Sequence, residues 1–338
     1  MHQDPSTPFG PSCRQLFVAI ACLVVLVAPR PAQSDQHDLR IALLPIIDSF
    51  PYHVALAEKL FEQSGIRVQG LSVSSAVNRD QLMQSGEIDG MLNELMTTAN
   101  FNRQTPQLKI VAVVREADQD HPLFRILGSP GSMLRQATDL AGTPIGISRN
   151  TIIEYVTDRL LQHAGVAADT VRKQSIPSIP ERYQLLMQGR VKAATLPDPL
   201  AQSAMASGAV LLIDDRAIAG VSLSVLSFSD QAIGRKTSVV KRFLDAWNRA
   251  VERINANPEA YRPLLLQKIR IPPNIQDSYR VPPFAYRRVP NRKQWQDVMG
   301  WMVDRKLLDH PIAFSTSVNP DLLNAPAVPS APNAPTIQ

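Results

Sequence analysis

The chain has 338 residues, 35 of them basic and 30 acidic, with 44% hydrophobic side chains; so mild an excess of positive charge gives no electrostatic footprint for nucleic acid. A chain of this length divides into two lobes or domains, each with room for its own core. Both cysteines, Cys13 and Cys22, fall within the first 34 residues, so beyond them disulfides, thiolate catalysis, zinc-thiolate sites and iron–sulfur clusters are excluded.

Arg14 precedes a run of 13 apolar residues, Leu16 to Ala28, and Ala32-Gln33-Ser34 then offers small residues at the positions a signal peptidase reads. A spanning helix needs about 20 apolar residues, so residues 1–34 are expected to be a cleaved secretory signal and the remainder a soluble periplasmic chain. Cys22 as a lipid anchor is disfavoured, because Ala19-Ile20-Ala21 is a poor approach to it and much of the apolar run lies beyond.

From Leu39 the pattern alternates strand and helix. Leu39 to Leu44 is a short apolar run ended by Pro45, the mark of a buried parallel strand. A helix is predicted over Tyr52 to Gln63, with apolar residues three and four apart and Gly65 to end it. Ile66 to Ser74 reads as a strand, Asn78 to Gln84 as a helix, Ile88 to Leu92 as a strand, Asn93 to Arg103 as a helix and Leu108 to Val114 as a fourth strand. Leu123 to Leu127 is a further strand before the Gly/Ser/Pro break at 128–132, where the chain is expected to cross into a second lobe. There the cycle restarts, with strands at Pro144 to Ser148, Val171 to Ile176, Val191 to Thr195 and Ala209 to Ile213. Helices fall between them at Thr151 to Ala164, Pro180 to Gln188 and Leu200 to Ser207. Val221 to Phe228, with near-perfect period two, is the expected return crossing. Beyond it the chain is helical, with a long amphipathic stretch from Ser238 to Asn255, a helix opened by Pro258 and a last one at Trp295 to Lys306.

The fold class is therefore α/β, with two doubly wound lobes joined by two crossing strands and a helical C-terminal part. The boundaries are a signal at 1–34, a first lobe at 35–127, a second at 128–222, a return to the first at 223–320 and a disordered Pro/Ala-rich tail at 321–338.

In open parallel sheets a ligand meets the carboxyl ends of the strands. Residues at those ends are Asp48, Ser49 and Phe50, then Ser74 and Ser75, then Asn93 and Glu94, then Arg115 in the first lobe; Asn150, Thr151, Glu154 and Asp198 come from the second. Ser74, Asn93 and Asn150 could equally cap helices, and Arg115 could pair with Glu94 or Asp198. No catalytic constellation competes with this set. The histidines, His2, His37, His53, His121, His163 and His310, stand at no metal-ligand spacing, and phosphate-loop, nucleophile-elbow and dinucleotide glycine motifs are missing. The basic cluster Arg280, Arg287, Arg288, Arg292 and Lys293 reads as a solvated face. No catalytic residue, metal or cofactor is expected.

Four segments carry a resemblance. Leu39 to Phe50 (LRIALLPIIDSF), Gln84 to Leu92 (QSGEIDGML), Asp139 to Tyr155 (DLAGTPIGISRNTIIEY) and Gln188 to Pro199 (QGRVKAATLPDP) are similar to solute-binding proteins of ABC importers. The group is the nitrate/taurine/sulfonate one, whose type 2 periplasmic-binding-protein fold is shared with thiamine-pyrimidine synthase. The resemblance implies a monomeric receptor that closes over a small polar or zwitterionic solute and delivers it to an inner-membrane permease and its ATPase. Its solute contacts would map onto Asp48, Ser49, Ser75, Asn93, Glu94, Thr151 and Asp198. Acidic candidates at the cleft favour a nitrogen-rich or zwitterionic solute over a simple anion. Two alternatives remain: a cysteine-independent lyase or dehydratase on the same fold, and a ligand-sensing partner of a signalling protein.

Overall fold

The computed structural model describes residues 38–44, 46–73 and 75–323. The expected signal at 1–34, residues 35–37, Pro45, Ser74 and residues 324–338 lie outside the described residues; the tail expected to be disordered from 321 is ordered over its first three residues, where Pro320–Leu322 form a 3-10 turn and Leu322 and Leu323 are buried in the first lobe's core.

Two five-stranded mixed sheets organise the chain. In the first, β1 (Leu39–Leu43) pairs in parallel with β2 (Val68–Ser72) and β3 (Gly90–Asn93), while β10 (Leu223–Ser229) runs antiparallel between β3 and β4 (Leu108–Glu116). In the second, β6 (Pro144–Ile147) pairs in parallel with β7 (Arg172–Ser175) and β8 (Ala193–Pro197), while β5 (Phe124–Gly128) runs antiparallel between β8 and β9 (Val210–Asp214). The strand orders, β2-β1-β3-β10-β4 and β7-β6-β8-β5-β9, are the same pattern used twice, and each lobe receives its antiparallel strand just after the chain crosses.

That arrangement moves the crossing points. β5, which the sequence reading put at the end of the first lobe with a crossing at 128–132, pairs in the second sheet, so the chain leaves the first lobe over 117–123. Ile126 and Leu127 are fully buried between β8 and β9, which an interlobe connector would not supply. β10, expected as the return crossing, is likewise a member of the first sheet, and the chain returns over 215–222.

The helices cover the sheets. In the first lobe these are α1 (Phe50–Ala57), α2 (Leu60–Gln63), α3 (Ala76–Gln84) and α4 (Leu95–Phe101). The single helix predicted over 52–63 is broken at Lys59, which takes a left-handed φ of 56°. In the second lobe, α5 (Ile152–His163), α6 (Ile179–Met187) and α7 (Leu200–Ala206) alternate with strands as expected. α8 (Asp230–Ala256) starts earlier than predicted because Ser229 caps it by accepting from the Ala232 N–H at 3.1 Å, and Lys236 leaves helical geometry inside it. Then follow α9 (Arg262–Lys268), α10 (Arg292–Asp304) and α11 (Phe314–Ser317).

α8 fills the first lobe's core with Phe243, which stacks on Phe61 and meets Phe228 edge-on, and with Trp247 beside it. α10 reaches across to the second lobe, where Trp301 Nε1 donates to Asp158 of α5 at 2.9 Å and Tyr155 donates to Asp297. No helix among the described residues is long and apolar enough to cross a membrane.

Candidate functional site

A cavity of about 60 Å³ lies where the two sheets face each other. The first lobe lines it with Ile46, Ile47 and Asp48 from the turn after β1, Glu94 after β3, Arg115 near the end of β4, and Leu223 and Ser224 at the start of β10. The second lobe lines it with Leu123 and Phe124 at the start of β5, Ile152 opening α5, and Pro197 and Asp198 at the end of β8. Parallel strands present their carboxyl ends here, as the rule for such sheets requires. The two antiparallel strands present their amino ends to the same place.

Each carboxylate in the lining is held by its own guanidinium. Arg115 Nη1 donates to Asp48 Oδ1 at 3.2 Å, Arg125 Nη1 to Asp198 Oδ1 at 3.2 Å, and Arg79 Nη2 reaches Glu94 Oε2 at 3.5 Å. Thr97 also donates to Glu94, at 3.0 Å, and the Tyr279 hydroxyl donates to the second oxygen of Asp198. Burial pushes the Asp48 carboxyl above its ordinary value, while Arg115 and the neighbouring Ser224 hydroxyl pull it back. For Arg115 burial alone would lower the pKa, but Asp48, Tyr279 and Asp198 outweigh it and keep the guanidinium charged. Burial, then the Asp198 charge, holds the Tyr279 phenol well above its usual range.

One guanidinium donor remains unspent. Arg115 is 2% exposed, and its Nε finds no hydrogen-bond partner among the described residues. A buried donor left open costs free energy that an acceptor on a bound molecule would recover. The site thus offers a charge-balanced, half-apolar chamber with one guanidinium N–H free.

Of the residues expected at a ligand, Asp48, Glu94, Arg115 and Asp198 come together. Ser74 lies outside the described residues. The others are used within the protein. Ser49 donates to the Ile46 carbonyl at 2.8 Å, and Ser75 caps α3 by accepting from the Asn78 N–H at 3.2 Å. Phe50 belongs to the core beside Phe284, because its turn points it into the first lobe. Asn93 is bridged between Thr98 and Ser227 at 3.0 and 2.8 Å. Thr151 caps α5, accepting from the Ile153 N–H at 3.2 Å. Asn150, at a left-handed φ of 57°, donates its N–H to Glu154 at 2.7 Å, and Glu154 is buried against Lys173 at 3.0 Å.

Sequence reasoning missed Leu123, Phe124, Leu223 and Ser224, although antiparallel strands entering each sheet were the signal that could have found them. It also missed Arg125 and Tyr279. No local pattern marks Tyr279, which arrives from far along the chain.

Comparison with known proteins bears on this architecture. The family described as NMT1/THI5 like matches over residues 47–261. A Brachyspira hyodysenteriae protein described as an ABC transporter periplasmic binding protein is 22% identical over 262 residues, 71% of this chain and 73% of that one. Among solved structures, the alkanesulfonate-binding protein SsuA from Xanthomonas axonopodis pv. citri, bound to MOPS, superposes with a TM-score of 0.70 at 17% identity, covering 83% of this chain and 97% of that one. The desulfurization enzyme DSZB superposes at 0.64 and 16%, covering 85% and 97%. Identities this low establish a shared fold.

Proposed function

The chain belongs to the NMT1/THI5-like family, and on that premise we propose that it is an extracytoplasmic solute-binding receptor of an ABC importer. It takes a small zwitterionic or polar solute between its lobes and passes it to a membrane permease driven by an ATPase. The observation that carries this reading is the interlobe cavity with its balanced ion pairs and the open Arg115 Nε.

The charge balance refines the solute class. Carboxylates alone would repel an anion, but Asp48, Glu94 and Asp198 are each matched by an arginine. A zwitterion suits such a chamber. Its acidic end accepts from Arg115, and its ammonium end meets Glu94, whose side chain keeps 22% exposure and so has free acceptor capacity. Ile47, Leu123, Phe124 and Leu223 pack on the linker between the two ends.

The fold also serves an enzyme, DSZB, so fold does not decide between binding and turnover. Mass spectrometry of the small molecule that co-purifies with the chain, followed by calorimetry, tests the receptor reading. The expected result is one bound zwitterionic or polar molecule that binds again unchanged. A ligand recovered chemically altered after incubation would overturn it.

A further inference from the structure

Besides the two connections, the second lobe is gripped on both faces of its sheet, and the two grips differ in kind. Along β8, the Thr195 hydroxyl meets Thr157 of α5 at 2.7 Å, while Ala194 and Leu196 on either side of it pack with Ala201 and Ala204 of α7. Successive strand residues point to opposite faces, so α5 covers one face and α7 the other. On the α5 face the grip is apolar. α10 buries Trp295, Met299 and Trp301 in one core with Met96 of α4 in the first lobe and Tyr155 of α5 in the second, Trp301 meeting the Tyr155 ring edge-on at 5.7 Å. On the α7 face the grip is polar. It comes from residues 271–284, whose apolar members Ile271, Ile275, Tyr279, Val281 and Phe284 all belong to the first lobe's core and none to the cluster around α7. There Asn274 Nδ2 donates to the Ser203 carbonyl at 3.0 Å and to Ser207 Oγ at 2.9 Å, and Ser203 Oγ donates to Asn274 Oδ1 at 2.8 Å. Further on, the Tyr279 hydroxyl donates to Asp198.

A solute enters between two lobes only if one of these grips parts. Parting α10 would expose large apolar side chains whose burial holds the lobes together. Parting Asn274 from α7 exchanges bonds within the protein for bonds to water, and each neutral bond then counts for only a few-fold to about tenfold in the equilibrium. We propose that Asn274 and Tyr279 are the releasable latch of the cleft. The lobes part on the α7 face, residues 271–284 travelling with the first lobe as a strap, while α10 stays docked on both lobes as the pivot.

Both ends of the latch are built to let go without stranding a charge. Asn274, Ser203 and Ser207 are neutral, and Asn274 is itself exposed, so water replaces its partners as they leave. The Ser203 hydroxyl keeps Tyr183 at 3.1 Å, which leaves the receiving side preset on α7. Asp198 keeps Arg125 at 3.2 Å when Tyr279 withdraws. On the strap, Pro272 and Pro273 restrict the backbone before Asn274 and the buried Ile275 anchors it after, so the amide is presented by the first lobe alone. Asp198 lines the cavity, whereas Asn274, Ser203 and Ser207 are outside the lining. Asn274 is thus a positioning residue, acting on the solute only through the lobes.

The latch rests on the receptor reading for its purpose, but its test needs no solute, so failure of either leaves the other standing. In the full chain with Cys13 and Cys22 replaced by serine, a single thiol is placed in the cavity through Ser224→Cys or in the α10 core through Ala99→Cys on α4, both positions buried. The rate at which each thiol reacts with a bulky aromatic disulfide reagent reports the population in which that place is open. Asn274→Ala should raise the rate at the cavity thiol roughly tenfold and leave the α10 thiol unchanged, and Tyr279→Phe should do the same. Ser207→Ala, which removes one acceptor of the Asn274 amide, should raise it a few-fold. Combined with Asn274→Ala it should add nothing, since the bond is already gone. The proposal is overturned if Asn274→Ala leaves the cavity thiol unchanged. It is equally overturned if both thiols speed up together, which is general loosening, or if Ser207→Ala adds its full effect on top of Asn274→Ala.

Discussion

The Tyr279 hydroxyl, buried with the core of the first lobe, donates to the Asp198 carboxylate at the end of β8 in the second. This bond crosses the cleft beside the cavity, and Arg115 is near enough to feel both partners. Tyr279→Phe removes the donor and leaves Asp198 to Arg125 alone. A hydrogen bond to a charged group contributes about 1.5–3 kcal/mol, so solute binding should weaken by roughly tenfold or more, read by calorimetry with the co-purifying molecule. Unchanged affinity would remove Tyr279 from the site. In the parent, ultraviolet titration should show several phenols that resist ionisation, Tyr279 together with the buried Tyr155 and Tyr52, and Tyr279→Phe should reduce that resistant group by one phenol.

Asp48 and Arg115 form the most buried ion pair of the chamber, with side chains 10% and 2% exposed. Asp48→Ala strands a guanidinium in the interior. Breaking a buried pair from one side costs about 3–5 kcal/mol, whereas replacing both members by apolar groups of similar volume is far milder. Denaturant melts should therefore show Asp48→Ala markedly destabilised and the Asp48→Leu, Arg115→Met double variant recovering much of the loss. A double variant as weak as the sum of its singles would mean the pair is not coupled.

The alternation of strand and helix was legible because each element carries its own period and its own stop, as with Gly65, Gly165 and Gly189, all at positive φ after a helix. The sheet to which β5 belongs was not legible, since a strand's partners are set by packing across 70 or more residues, as in the Arg125 to Leu196 register. Candidate loops were found by the carboxyl-end rule. That rule cannot separate Asp48, which faces the cavity, from Ser49 and Phe50, which turn away within the same three residues. Capping residues such as Ser75 and Thr151 satisfy both readings until the N–H they accept from is seen.

The Gly-Glu-Ile-Asp-Gly segment at 86–90, part of one of the four segments that carry the family resemblance, has a structural explanation at each end. Asp89 accepts from the Arg40 N–H at 2.9 Å and holds Lys236 at 2.8 Å, tying β3 to β1 and α8. A Cβ on Gly90 would meet the Phe228 ring at 2.8 Å and the Ser227 carbonyl at 3.0 Å, whereas one on Gly86 would meet nothing but sits at a φ of +75°. Gly90→Ala should cost about 1–3 kcal/mol through overpacking, and Gly86→Ala about 1 kcal/mol through backbone strain. The two also differ in repair: Phe228→Leu should relieve Gly90→Ala and leave Gly86→Ala as it is. Thermal melts of the four variants decide this, and no relief at Gly90 would reject the contact as the cause.

Asp215 ties stability to pH in a direction opposite to that of most acidic side chains. Its carboxyl titrates near 6 in the fold and near 3.8 when free, so the folded chain binds the proton more tightly. That contribution to stability is whole below about 3.8 and is lost as pH rises through about 6. It amounts to at most about 3 kcal/mol. Many other groups titrate over the same range, but they are common to the parent and Asp215→Asn and cancel in the difference. The difference between Asp215→Asn and the parent should therefore move in the variant's favour by up to about 3 kcal/mol from acid to neutrality in paired denaturant melts, on top of a constant penalty for setting the amide nitrogen against a backbone N–H donor. Parallel curves for the two proteins would show that the buried carboxyl carries no such cost.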